Sequence, residues 1–151
     1  MEVVRSIEIA RPIDEVFSFV ADAGNHPRWR PKIISSVQLT GTGPGPGARY
    51  QVTTRPLPGR PPAGGTAECV GWEPPQRVEW RENDGVDDVQ LRLVLGDLGD
   101  ATQVTQYCLL APATPQRLRP IILRPMMRQG VGRDIELQML TLKKVLEQET
   151  D

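Results

Sequence analysis

Val131, Ile135, Met139, Leu142 and Leu146 recur at steps of four, four, three and four, so residues 130–149 are predicted to form a helix with one apolar face. Such a face must be buried against something, and the chain before it reads as short strands, so the surface offered is a sheet. The approach to this helix is proline-bearing. Pro120 and Pro125 each lack an N–H and crowd the carbonyl four residues earlier, which bends a helix or delays its start. Thr114-Pro115 reads as an N-cap and first helical position, so a kinked helix starting there is the other expectation. A first half bent away from the sheet would leave a cavity beneath it.

The strands are marked by alternation and by the punctuation between them. Residues 3–9 alternate, with Ile7 and Ile9 on one face, until Arg11-Pro12 stops them. Pro12, with Asp14 and Glu15 in the first turn, opens a short helix over residues 12–22 whose Ile13, Val16, Phe17 and Val20 share a face. Asn25 to Trp29 reads as a turn or a second short helix. Six strands follow at 33–39, 49–54, 66–73, 77–82, 86–96 and 101–110. Their breaks are the glycine-rich GTGPGPG, a long 55–65 connection, Pro74-Pro75, Asn83-Asp84-Gly85 and the 96–100 turn. The 15 prolines and 14 glycines therefore act as punctuation, not as a mark of disorder. Consecutive strands joined by turns give an antiparallel sheet with one wet and one buried face. The class is α+β: seven strands, two short helices between the first and second, and a long helix gripped by the curved sheet.

At 151 residues the chain is expected to be one domain, large enough for a core without staples. Its net charge of −1 gives no global field towards nucleic acid or anionic lipid. Cys69 and Cys108 show no metal spacing, and the single histidine excludes a histidine-pair metal site. No secretory signal and no membrane-length apolar run is visible, so a cytoplasmic protein without an integral membrane segment is expected. No cofactor motif appears: GTGPGPG precedes a strand, not a helix, and so is no phosphate cradle.

The opening IEIARPIDEVFSFVADAGNHPRWRPKI, then GPGARY, WEPPQRVEW, GDATQVT and LKKVLE, resembles in order the SRPBCC (START-like, helix-grip) superfamily and its polyketide cyclase/dehydrase-like members. The resemblance implies the helix-grip fold and a hydrophobic cavity between sheet and terminal helix. It implies no common reaction, since relatives include cyclases, lipid carriers, chaperones and sensors.

Strand parity then nominates a cavity wall of Phe17, Trp29, Tyr50, Val52, Val70, Trp72, Val78, Trp80, Leu91, Leu93, Ile122 and Met126, with core filling as the alternative for each. Alternation back from Trp72 puts Glu68 on the inner face, where a carboxylate would be a useful acid or base; a bulge would undo that placement. His26, in NHPRW at the expected cavity mouth, is either a proton shuttle or a surface turn residue. Tyr50 and Tyr107 complete the acid/base candidates. Arg117, Arg119, Arg124, Arg128 and Arg133 form a basic start to the last helix, either a solvated face or an anion or acidic-partner site. Aromatics do not interleave with them, so no nucleic acid partner is expected.

The leading expectation is a binder of a small hydrophobic molecule, such as a lipid or aromatic polyketide. The alternatives are a polyketide cyclase or dehydratase working by acid/base catalysis in that cavity, and an interaction module using the arginine face. A homodimer is left open.

Overall fold

The computed structural model describes residues 2–55, 61–83, 87–112 and 123–148. The order is strand β1 (Glu2–Ile9), helix α1 (Ile13–Val20), a 3-10 turn (Ala23–Asn25), helix α2 (His26–Trp29), six further strands and helix α3 (Leu123–Gln148). The strands are β2 (Ile33–Thr40), β3 (Arg49–Thr54), β4 (Ala63–Glu73), β5 (Arg77–Asn83), β6 (Asp87–Asp97) and β7 (Thr102–Pro112). All pairings are antiparallel, in the order β1-β7-β6-β5-β4-β3-β2, so the first two strands are the edges of one sheet.

Helix formation follows the apolar spacing. On α1, Ile13, Val16, Phe17 and Val20 are all buried, and Pro12 occupies the N-cap position. On α3, Ile135, Met139, Leu142 and Leu146 are buried. Pro125 lies within this helix, whereas Thr114 to Ile122, including the alternative start and Pro120, lie outside the described residues. GTGPGPG needs its glycines for conformation: Gly41, Gly43, Gly45 and Gly47 all have positive φ.

The C-terminal end of α3 is pinned to the start of the chain. Arg11 Nε and Nη2 donate to the carbonyls of Leu146 and Glu147, satisfying acceptors that a helix end leaves open. Glu147 Oε1 accepts from Lys143 Nζ and from the Ala10 amide, which together hold its carboxyl below the usual range. Met139, Leu142 and Leu146 thereby join Ile9, Val16, Val20, Leu93, Leu95 and Val104 in one dense core. Space is left at the other half of the helix.

One parity expectation fails. In β4 the register with β5 shifts between Cys69 and Gly71, so Val70 is an extra residue and every side chain before it changes face. Trp72 still turns inward, edge-on to Phe17 at 5.2 Å. Ala67 and Cys69 are the buried residues, while Val70 is 44% exposed and Glu68 sits on the outer face. Glu68 is therefore no interior acid, and Val70 is no wall residue.

A cavity beneath the long helix

Between the sheet and residues 130–138 of α3 lies a cavity of about 650 Å³. Gly130, Val131, Asp134, Ile135 and Gln138 border it from the helix; Val52, Val89, Leu91 and Leu110 border it from the sheet, with Ile33 at the start of β2. Gly130 has no side chain and Val131 a short one, so the helix fills little of the space below it. Lys32 Nζ meets Asp134 at 2.6 Å, and both are substantially exposed, as is Arg55 beside them; these residues mark the mouth.

The inner wall carries a group of buried polar side chains. Arg30, the residue closing α2, reaches across to Glu82 on β5 through two hydrogen bonds, Nη1 to Oε1 at 2.6 Å and Nη2 to Oε2 at 2.9 Å. Burial opposes the guanidinium charge, but the facing Glu82 more than restores it, and the pKa of Arg30 is raised. Arg30 Nη1 also lies 3.1 Å from His26 Nδ1. Since a guanidinium can only donate, Nδ1 must carry the lone pair and the imidazole is neutral with its proton on Nε2. Burial first, and then the Arg30 charge, drive the His26 pKa well below its ordinary value. Gln106 Nε2 donates to Gln138 Oε1 at 3.0 Å, tying β7 to α3, while Gln106 Oε1 is buried with no partner. Cys108, also on the wall, is a thiol whose pKa burial raises to about 11.

Of the sequence-nominated wall residues, Val52 and Leu91 border the cavity. Phe17, Trp29, Val78, Trp80 and Leu93 are buried in the packed core beside it, and half-buried Trp72 packs against that core. Tyr50 is buried in a second cluster with Ala23, Ile33, Ala48, Val52 and Ala67, its hydroxyl unpartnered and its pKa raised by burial and then by Asp22 and Cys69. His26 is not a surface turn residue: it is fully buried, edge-on to Trp29 at 5.6 Å and to Trp80 at 4.7 Å. His26 and Trp29 of the Asn25–Trp29 segment are thus packed in the core, not set at a cavity mouth. Tyr107 lies on the outer face beneath Arg92, 4.5 Å from ring centroid to guanidinium. Ile122, Arg117 and Arg119 fall outside the described residues, as do the side chains of Met126 and Arg124; Arg128 and Arg133 are exposed.

Sequence reasoning passed over Arg30, Glu82, Gln106 and Gln138. A signal existed for two of them. Glu82 continues the inward parity of Val78 and Trp80, and Gln106 that of Val104 and Cys108.

The sequence profile of the family described as polyketide cyclase / dehydrase and lipid transport matches residues 1–147. The chain belongs to this family. Solved structures agree at the level of the fold. The Zhui aromatase/cyclase from Streptomyces sp. R1128 superposes with a TM-score of 0.80 at 15% identity, covering 100% of this chain and 96% of that one. The protein TTHA0849 from Thermus thermophilus gives 0.79 at 14% identity with both chains fully covered. A START superfamily protein from Mycobacterium smegmatis gives 0.77 at 19% identity, covering 99% of each. No functionally curated protein sequence matches the chain. No helix of the described residues is long and apolar enough to cross a membrane, and none of their side chains cluster as a metal site.

Proposed function

We propose that this family member binds a small hydrophobic molecule, a lipid or an aromatic polyketide-like compound, in the cavity between the sheet and α3. The observation that carries this reading is the cavity itself: about 650 Å³, with an aliphatic stretch of wall formed by Ile33, Val52, Val89, Leu91, Val131 and Ile135 and a buried polar group beside it. An apolar molecule seated there would take the aliphatic part of the wall out of water, which is favourable. Binding would come from apolar burial, with orientation set by the polar wall at Gln106 beside the Arg30–Glu82 pair.

Catalysis by proton transfer is supported less. None of Glu68, His26, Tyr50 and Tyr107 borders the cavity, and the carboxylates that do, Glu82 and Asp134, are each engaged by a cation. Native mass spectrometry of gently purified protein tests the proposal, together with titration by a hydrophobic fluorescent dye. The expected result is one apolar molecule per chain, with binding lost in Val131→Trp, which fills the space. Failure of the wild type to bind, or equal binding by that variant, would refute it.

A further inference from the structure

The polar cluster has a charge balance that restricts what can lie against it. Arg30 is the cation on the inner wall, and both of its terminal nitrogens are already held by Glu82. The bidentate pair is close to neutral, so no positive charge remains there to hold an anion. Lys32 is likewise matched by Asp134, and exposed Arg55 is screened by solvent at the mouth. On the same cavity lining, Gln106 is 1% exposed and leaves Oε1 without a donor among the described residues. A buried amide oxygen lacking a partner is unfavourable, and the group that relieves it must carry a proton. An ionised carboxylate can only accept; a hydroxyl can donate.

We infer that Glu82 and Gln106 are the specificity-determining residues of the cavity, selecting a ligand that ends in a neutral hydroxyl and rejecting a carboxylate of the same shape. The inference rests on the proposal that this cavity is the ligand site. It makes Glu82 a neutralising group, not a direct anchor. Removing its charge frees the buried Arg30 guanidinium and turns the same wall into an anion site.

The probes are hydroxypyrene and pyrenecarboxylate, matched in ring system and neutral and anionic respectively at neutral pH, titrated by fluorescence. Wild-type protein is expected to bind hydroxypyrene at least about tenfold more tightly, because the carboxylate would be desolvated against Glu82 with no free cation on that wall. In Glu82→Gln the preference should narrow or invert by a similar factor. Gln106→Leu should weaken hydroxypyrene and leave pyrenecarboxylate nearly unchanged. The wild-type comparison stands alone if either variant folds poorly. Equal or tighter wild-type binding of the carboxylate overturns the inference while leaving the cavity a ligand site. Binding of neither probe removes the site and the inference together.

Discussion

Arg30 and Glu82 stand 52 residues apart in sequence, yet two parallel hydrogen bonds of 2.6 and 2.9 Å join them, and each side chain is nearly nine-tenths buried. The pair couples α2, which carries His26 and Trp29 into the core, to the strand that carries Trp80. Removing one member should therefore be worse than removing both. Glu82→Leu and Arg30→Met each leave the other charge buried and unpaired and are each expected to cost about 3 kcal/mol, whereas Arg30→Met with Glu82→Leu should recover most of that loss. Urea unfolding of the two single variants and the double variant measures it. A double variant as unstable as the sum of the singles would show that the two side chains do not act as a pair.

His26 sets an acid limit on stability. Its folded pKa lies well below the 6.5 of the free imidazole, because burial and then Arg30 disfavour the charged form. Below pH 6.5 the unfolded chain takes up a proton that the folded chain refuses, so stability is full above that pH and falls as pH drops. The limiting slope is about 1.4 kcal/mol per pH unit. Glu147, whose folded pKa is also depressed, adds its own loss only nearer the carboxylate range. Unfolding free energies measured downward from about pH 7 should approach this slope below pH 6.5 in the wild type, until the folded His26 itself takes up a proton, and stay nearly flat in His26→Phe. Identical slopes in the two proteins would remove His26 as the cause.

The β4 bulge has a steric requirement of its own. A Cβ on Gly71 would stand 2.9 Å from the Glu79 Cβ on the paired strand, closer than side-chain carbons pack. Gly71→Ala should destabilise by about 1 to 3 kcal/mol. Gly130→Ala makes the contrast, since nothing lies within 4 Å of that Cβ and the residue is helical; it should stabilise by about 0.5 to 1 kcal/mol. Thermal unfolding of both variants gives the comparison, and a neutral Gly71→Ala would mean the strand can slip out of the bulge.

That same bulge separates what the sequence disclosed from what it did not. The buried stripes of α1 and α3 were legible because helical periodicity is local, and so were the seven strands because turn residues punctuate them. Parity was legible wherever a strand runs unbroken, as in β6, where Leu91, Leu93 and Leu95 are buried. It failed at Glu68 because one inserted residue reverses every face beyond it, and the only local hint of the bulge is Gly71, which does not say which residue is the extra one. The tryptophans were expected near a cavity, but Trp29 and Trp80 instead sandwich His26 and complete the solid half of the core. Arg30 as a site residue, and His26 as a buried one, were illegible for a different reason. Their character comes from Glu82 and Trp80, partners brought together only by the crossing of α2 over the sheet.

Cys108 offers a reporter inside the cavity, with Cys69 as its internal control. Both thiols are buried and free, and burial raises both pKa values, that of Cys108 from 9.0 to about 11. A rise of that size lowers the thiolate fraction near pH 8 by roughly a hundredfold, so Cys108 should label correspondingly more slowly than an exposed thiol. Cys108 borders the cavity, whereas Cys69 is buried on β4 in the adjoining core with its thiol 3.4 Å from the Gly71 carbonyl. A ligand in the cavity should therefore slow labelling of Cys108 beyond any change at Cys69, as read by mass spectrometry of the labelled peptides. Equal protection of both cysteines would instead reflect suppression of global opening by ligand, which acts on every buried thiol alike. That outcome would separate the bound molecule from the wall that Cys108 shares with Arg30, Glu82 and Gln106.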